Sequence, residues 1–396
     1  MRQAKVNILA QGLSTLRQDT LSAFEYYRVA GALTVPHEDE FNPPLWELGH
    51  LAWFQEYWIA RNQQRDLGMT QDIHHSRLPS KVPQADQWYD SARVSHALRW
   101  SLPFLSTQPC LDYLQQTLDE TLSLLKQEKD NSSALYFYWL ALQHEAMHLE
   151  ASTYMAQSLG IPFTASWAVS QPLQNSHAEA QPPQLGSAKD RASVQRIPST
   201  QWTMGTASMT SHCQDFYFDN EVGQRVTTLE AYSIALTPVT WGQYMRFVEA
   251  TGHRLPLYVR AAQLQDSLQP YEINLFGKWV PLNPEACAQH ISWDDAQAYC
   301  RWAHCRLPTE AEWDCGARTL SDFKWGEVWE WTADTFEPFE GFTPHPYVEY
   351  SAPWFGSRKV LRGAAWATHP YLRDLNYRNF FTPDRRDIYA GFRVCL

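Results

Sequence analysis

Two histidines, His144 and His148, lie four residues apart in a segment that reads Leu-Gln-His-Glu-Ala-Met-His-Leu-Glu and ends at Glu150. On an α-helix, side chains four residues apart project from the same face, so both imidazoles could bind one cation. The pair is a weak signal on its own, because histidines at this spacing also occur in ordinary cores and on surfaces. It is a candidate metal site that needs a third ligand.

A third histidine, His50, lies in an aromatic segment that is predicted to be helical, on the same face as Trp46 and Trp53. A single buried histidine usually has a hydrogen-bond partner and no metal. Three histidines that face the interior of one bundle are harder to explain in that way, because each buried ring needs a polar partner. Helical bundles commonly bind metals between facing helices. We therefore predict that His50, His144 and His148 are metal ligands. Imidazole suits Fe(II), Zn, Cu and Ni, so the ligand type does not select the metal.

Glu150 follows His148 by two residues, and helix geometry turns it away from the ligand face. We predict that its carboxylate accepts a hydrogen bond from the ring N–H of a ligand imidazole on the side away from the metal, as carboxylates commonly do in metal sites. A solvated surface carboxylate is the alternative.

Three segments of different character position these residues, and a length of 396 residues fits two or three domains. Residues 1–165 contain few glycines and are predicted to form a bundle of four main helices. Residues 166–196 are polar and aperiodic with several prolines, which indicates a linker. Residues 197–396 are predicted to be a compact α+β domain. The predicted helices cover about 6–30, 42–64, 91–100, 111–126, 133–158, 241–250 and 293–304.

The composition excludes several classes of function. The chain has 43 acidic and 32 basic residues and a formal net charge of −11. This charge argues against nucleic-acid partners and against attachment to an anionic membrane, because both need a basic surface. The sequence contains no uninterrupted apolar run of about 18 residues, so it predicts no membrane-spanning helix. The N-terminal residues do not resemble a signal peptide, and the seven cysteines form no CxxC pair. We therefore expect a cytoplasmic protein with reduced thiols.

Both halves of the chain resemble known families. The His50 segment followed by His144-x-x-x-His148-x-Glu150 resembles the DinB-type iron-binding bundle of the ergothioneine-forming sulfoxide synthases. The C-terminal half resembles the formylglycine-generating-enzyme, or sulfatase-modifying-factor, domain, which has a C-type-lectin-like fold. The segments that carry the second resemblance are 218–221, 238–240, 291–296, 306–313, 328–332, 361–363, 377–381 and 391–393. Within the superfamily, residues 42–50 and 89–93 are most similar to the selenoneine synthase branch.

The resemblance implies a non-haem Fe(II) enzyme that uses O2 to bond a chalcogen to carbon 2 of the imidazole of hercynine, the N-trimethylated betaine of histidine. It implies that Asn379 binds the betaine, together with its neighbours Tyr377 and Arg378, although these residues could instead brace the domain. Arg93 is a candidate for binding a substrate carboxylate through two hydrogen bonds, with an ordinary ion pair as the alternative. Tyr89 is a candidate proton donor because it lies close to Arg93 in the sequence.

The chain also departs from the resembling families. Met147 stands where many sulfoxide synthases carry Gln, and Phe381 stands where some carry an Asp that contacts the thiol substrate. Phenylalanines fill a loop where relatives carry tyrosines, at positions 336, 339 and 342. These departures argue against γ-glutamylcysteine as the donor and against tyrosine-assisted sulfoxidation, and they favour a less charged donor such as a selenosugar. The chain is also shorter than other members of the domain between Arg318 and Trp325.

Several functions remain open at this point. The segment at 364–368 has no cysteine pair, which argues against formylglycine generation. The leading hypothesis is C–Se bond formation on hercynine from a selenosugar. The alternatives are C–S bond formation with cysteine or γ-glutamylcysteine, a metal-dependent thiol transferase that needs no O2, and a binding protein with a structural metal.

Overall fold

A computed structural model describes residues 2–3, 5–168, 193–206, 215–262 and 270–396. The N-terminal domain is a helical bundle, as predicted. Its four long helices are α1 (Val6–Val29), α2 (Pro44–Gln55), α4 (Thr107–Leu125) and α5 (Ser132–Leu159), with the short α3 (Ala85–Trp88) between α2 and α4. A π-helical turn, Glu56–Ala60, continues α2.

Helix α5 is bounded by strong local signals and lies between the two domains. Asn131 caps its first turn by accepting a hydrogen bond from the Ala134 amide, and Gly160 ends it in a left-handed conformation with φ of 65°. Its side chains are buried on most sides because the bundle packs on one face and the C-terminal domain on another. Gln143 Nε2 donates to the carbonyl of Tyr371, and Gln157 Nε2 donates to the carbonyl of Asn274.

The helix predicted over residues 91–100 is wrong. The structure has turns there, followed by a 3₁₀ helix at His96–Trp100. The Asp90 carboxylate accepts a hydrogen bond from the Ala92 amide, and this local bond favours a turn over a helix.

In its described residues, the C-terminal domain combines short sheets with three α-helices, α6 (Trp241–Thr251), α7 (Trp293–Trp302) and α8 (Glu310–Thr319). The sequence prediction missed α8, although Thr309 and Glu312 form a capping box at its start. The strands are β1 (Val194–Ile197), β2 (Thr200–Met204), β3 (Arg225–Leu229), β4 (Tyr232–Ala235), β5 (Val259–Ala261), β6 (Tyr271–Leu275), β7 (Lys278–Pro281), β8 (Trp329–Thr335), β9 (Lys359–Gly363), β10 (Asn379–Phe381) and β11 (Ala390–Gly391).

Four small sheets result from these strands. They are β1–β4, β2–β3, β5–β6–β7 and a four-stranded sheet in the order β10–β9–β8–β11. The last sheet is antiparallel except for the β11–β8 pair, which is parallel. Its central strand β8 carries Trp329, whose indole N–H reaches α5 and donates to Glu150. One continuous cluster of buried apolar side chains runs through both domains, so the bundle and the C-terminal domain share a core.

Most of the linker predicted at 166–196 lies outside the described residues. At its start Trp167 is buried and donates its indole N–H to the carbonyl of Ala367. At its end β1 begins at Val194, inside the predicted linker. No helix in the described parts of the chain combines the length and the apolar character needed to cross a membrane.

Candidate metal centre

His50 on α2 and the pair His144 and His148 on α5 turn their Nε2 atoms toward a common point. His144 Nε2 lies 3.3 Å from that of His50 and 3.2 Å from that of His148, and all three ligand atoms lie within 4.8 Å of one another. Imidazole nitrogens about 2.1 Å from one ion, at angles of about 90 to 110°, lie about 3.0 to 3.4 Å apart. The donor set therefore fits a small divalent metal ion.

Hydrogen bonds behind two of the rings fix their tautomers. His50 Nδ1 lies 2.7 Å from the carbonyl oxygen of Tyr89, and His148 Nδ1 lies 2.5 Å from Glu47 Oε2. Because a carbonyl and a carboxylate only accept hydrogen bonds, both Nδ1 atoms carry the proton and both Nε2 lone pairs face the centre. His144 is held differently, since its ring stacks on Phe54 with centroids 3.6 Å apart.

Burial keeps two of the imidazoles neutral. It lowers the pKa of His50 to about 3 and the pKa of His144 well below its ordinary value. Lone pairs that meet at 3.2–3.3 Å repel one another when no proton or cation lies between them. A bound cation removes this repulsion, which is the behaviour expected of a preformed ligand set.

The carboxylate of Glu47 is the charged group behind the centre. Burial alone would raise its pKa, but the electrostatic interaction and the hydrogen bond with His148 lower it to about 2. Asn42 Nδ2 donates to its other oxygen, Oε1, at 2.5 Å. The centre therefore combines three imidazoles with one ionised carboxylate directly behind them.

The imidazole contact predicted for Glu150 is made by Glu47 instead. Glu150 Oε1 accepts hydrogen bonds from the indole N–H of Trp329, at 2.6 Å, and from the hydroxyl of Tyr154. Its position two residues after His148 points it at the C-terminal domain, where it joins α5 to β8. A sequence signal for Glu47 did exist, because it precedes His50 by three residues and so shares its helix face.

Tyr89 contributes its backbone rather than the phenol that was predicted to donate a proton. Its hydroxyl accepts a hydrogen bond from the Leu105 amide at 3.1 Å, and burial raises the pKa of this phenol. The ring packs on Gly49 so closely that a Cβ there would lie 2.1 Å from a ring carbon. The carbonyl of Tyr89 is the atom that holds His50.

Arg93 has the ion pair that was the alternative to substrate binding. Its side chain is 76% exposed and lies 3.2 Å from Asp90. Arg378 is fully buried, and its guanidinium donates to both oxygens of Glu310 at 2.7 and 3.0 Å. It also donates to the carbonyls of Asn220 and Glu337, so its hydrogen-bonding groups brace the domain.

Of the three residues predicted to bind the betaine, Tyr377 contacts the residue that precedes His148. Its hydroxyl donates to Met147 Sδ at 3.3 Å, and Met147 directly precedes His148. The third residue, Asn379, begins β10, and its Oδ1 accepts a hydrogen bond from the Phe380 amide.

Two tyrosines near the centre were missed by sequence reasoning. The ring of Tyr347 lies 5.1 Å from that of Phe54 and 6.3 Å from that of His144. Tyr350 donates its hydroxyl to that of Tyr377 at 3.2 Å. Both belong to an irregular segment with no periodic pattern, so no sequence signal placed them here.

The phenylalanines that stand where relatives carry tyrosines contact other residues than the histidines. Phe336 stacks on Phe380, and Phe339 lies under the guanidinium of Arg378. Tyr347 and Tyr350, rather than residues at positions 336, 339 and 342, are the aromatic side chains of this segment that lie near the centre.

Both domains match known families. Residues 186–327 and 320–396 match the sulfatase-modifying factor enzyme 1-like domain, and residues 13–152 match the DinB superfamily. The two matches of the first family overlap at residues 320–327, which includes most of the stretch where the sequence suggests a shortened chain.

The chain is similar to curated proteins along its whole length. A hercynine oxygenase of Mycolicibacterium smegmatis is 26% identical, and the match covers 98% of each chain. Ergothioneine biosynthesis protein 1 of Schizosaccharomyces pombe is 24% identical over 89% of this chain and 51% of its own length. A formylglycine-generating enzyme of Streptomyces coelicolor is 26% identical over 54% of this chain and 93% of its own length.

Proposed function

Because this chain belongs to the sulfatase-modifying factor enzyme 1-like family, and joins that domain to a DinB-type bundle as ergothioneine-type sulfoxide synthases do, we propose that it is an enzyme that acts on hercynine. The observation that carries this proposal is the convergence of three imidazole Nε2 atoms at the side of the bundle that meets the C-terminal domain. A hercynine imidazole and a second substrate could reach a common metal there.

The proposed reaction is an oxidative coupling. The C2–H bond of the hercynine imidazole and the Se–H bond of a selenosugar break, and a C–Se bond forms. O2 accepts four electrons, so that one oxygen atom leaves as water and the other remains on selenium. An Fe(II) ion held by His50, His144 and His148 would activate O2 and lower the pKa of the selenol.

The residues of the chain would position the substrates and exclude water. The quaternary ammonium of hercynine is attracted to aromatic faces by about 0.5 to 2 kcal/mol per contact, and Tyr347, Tyr350 and Tyr377 supply such faces beside the centre. Burial raises the pKa of the Tyr350 and Tyr377 phenols, so both keep their protons at neutral pH. They can donate hydrogen bonds but carry no charge.

The charges near Tyr377 favour a neutral donor. Arg2 lies over the ring of Tyr377, and both oxygens of the buried Glu221 accept hydrogen bonds from it. Glu310 neutralises Arg378 in the same way. A selenosugar requires no cationic partner, whereas γ-glutamylcysteine carries two carboxylates that do.

A second candidate is C–S bond formation on hercynine with cysteine or γ-glutamylcysteine. The names of the relatives, hercynine oxygenase and ergothioneine biosynthesis protein, favour it. It uses the same centre and the same balance of electrons, with sulfur in place of selenium.

One experiment separates the candidates. The apoprotein receives Fe(II) under argon, then hercynine with a selenosugar, cysteine or γ-glutamylcysteine, and finally air. Mass spectrometry of the products identifies the donor, and the His144→Ala variant is the control. The proposal predicts a selenium-containing hercynine product only after air is added. Product from a thiol alone would establish the second candidate, turnover under argon would indicate a thiol transferase, and no turnover with any donor would leave a binding protein.

A further inference from the structure

Arg99 contacts Asn42 and Trp46, two residues that lead by further contacts to His148 and His50. It lies in the 3₁₀ helix His96–Trp100, outside the helices that carry the histidines. Its Nη1 donates to Asn42 Oδ1 at 2.7 Å, and its guanidinium carbon lies 4.1 Å above the centre of the Trp46 ring. One planar cation therefore holds two residues of the segment that begins α2.

The first contact leads to His148. Asn42 uses its Oδ1 to accept from Arg99 and its Nδ2 to donate to Glu47 Oε1 at 2.5 Å. The other oxygen of Glu47 accepts from His148 Nδ1, also at 2.5 Å. Because the Asn42 amide is bonded at both ends, its orientation depends on Arg99, and the orientation of the Glu47 carboxylate depends on Asn42.

The second contact leads to His50. Trp46 contacts both Arg99 and His50, and its ring is stacked on the imidazole with centroids 4.9 Å apart and an interplanar angle of 7°. The indole N–H of Trp46 donates to the carbonyl of Trp88 at 2.7 Å. Trp88 precedes Tyr89, whose carbonyl accepts from His50 Nδ1. Trp46 therefore connects Arg99 both to the imidazole of His50 and to the segment whose Tyr89 carbonyl holds His50 Nδ1.

We propose that Arg99 is a positioning residue that fixes the orientations of His50 and His148 together and so sets the affinity of the three histidines for a divalent metal ion. The inference rests on the proposed function only in requiring that the histidines bind a metal. It requires neither hercynine nor turnover.

The charge of Arg99 and its positioning role act in opposite directions. A cation close to the centre repels a divalent metal ion, so charge alone would weaken binding. A fixed Glu47 carboxylate and a fixed imidazole plane strengthen binding, and losing such outer contacts typically costs 10- to 100-fold in metal affinity. Lys would keep the charge of Arg99 but lose the planar guanidinium, which supplies several N–H donors and stacks on the Trp46 ring. Gln would lose both the charge and the guanidinium.

The test is a Co(II) titration of the full-length apoprotein in competition with a chelator of known affinity. Visible absorption monitors the bound Co(II) and gives its affinity and its spectrum. We expect Arg99→Gln and Arg99→Lys each to lower the affinity about tenfold and to change the shape of the Co(II) spectrum. Arg28→Gln is the matched control, because Arg28 forms an exposed pair with Glu25 on the outer side of α1. Asn42→Ala should lower the affinity in part, and the double variant with Arg99→Gln should lose little more than Arg99→Gln alone.

Several outcomes would overturn the inference. Wild-type affinity in Arg99→Lys together with tighter binding in Arg99→Gln would show that Arg99 acts only by charge. Unchanged affinity and spectra in both variants would show that it does not act on the centre. If Arg99→Gln fails to fold, Arg99→Lys and Asn42→Ala still decide between these results. Failure of the wild-type protein to bind Co(II) would instead contradict the metal site of the proposed function.

Discussion

His148 donates the hydrogen bond of its Nδ1 to Glu47 Oε2 across 2.5 Å, and this bond joins α5 to α2 directly behind the metal-facing nitrogen. The two residues are 101 positions apart in the chain. The bond fixes which nitrogen of His148 is free and which way its lone pair points. A carboxylate in this position also increases the electron-donating strength of the imidazole.

Replacing Glu47 should therefore weaken metal binding. Glu47→Gln keeps the size of the side chain but removes the negative charge, and we expect it to lower the affinity for Co(II) or Fe(II) about 10- to 100-fold. Glu150→Gln is the comparison, because Glu150 bonds Trp329 and Tyr154 rather than an imidazole. Chelator competition measures both variants. A larger loss in Glu150→Gln than in Glu47→Gln would contradict this assignment.

Metal binding should stabilise the folded chain. At a free metal concentration of about 100 times the Kd, binding adds about 2.7 kcal/mol to the free energy of unfolding. Calorimetry should show this as an increase in Tm that a chelator reverses and that His144→Ala abolishes. His74→Ala is the control, since His74 lies exposed in a loop. An equal increase in both variants would place the stabilising metal elsewhere.

Arg378 should matter for stability rather than for substrate affinity. Arg378→Met leaves the buried carboxylate of Glu310 with Arg362 as its remaining cation. Breaking a buried pair from one side typically costs about 3 to 5 kcal/mol, which urea unfolding can measure. Arg28→Gln breaks the exposed pair with Glu25 and should change the free energy of unfolding far less. A stable Arg378→Met protein with a raised KM for hercynine would restore the substrate-binding role.

The buried His345 should make stability depend on pH. Burial lowers its pKa to about 4 in the folded chain, against about 6.5 when unfolded. Between these values the unfolded chain binds a proton that the folded chain does not, so stability falls as the pH falls from 6.5 to 4. The loss from this residue is at most about 3 kcal/mol.

A His345→Gln variant tests the assignment. Its side chain cannot titrate but can still hydrogen-bond the hydroxyl of Tyr136, which lies 2.8 Å from Nδ1 in the wild type. As the pH falls from 6.5 to 4, the wild type should lose unfolding free energy that the variant keeps. The value for the wild type minus the value for the variant should therefore decrease. Parallel stability curves over this range would show that His345 does not carry the dependence.

The sequence by itself determined the features that depend on local periodicity. The ends of α5 follow from Asn131 and Gly160, and the pairing of His144 with His148 follows from the pitch of a helix. The aromatic face around His50 identified the third histidine, because three buried imidazoles need a common explanation. The order of the two domains was also readable, since the sequence predicts helices before residue 166 and short strands after residue 196.

Only the tertiary structure decided which groups surround the histidines. Glu47 rather than Glu150 holds His148, the carbonyl of Tyr89 rather than its phenol holds His50, and Tyr347 reaches His144 from an irregular loop. Each of these contacts joins segments far apart in the chain. Whether a carboxylate or a hydroxyl meets an imidazole depends on how those segments pack, and side-chain spacing within one segment carries no information about that.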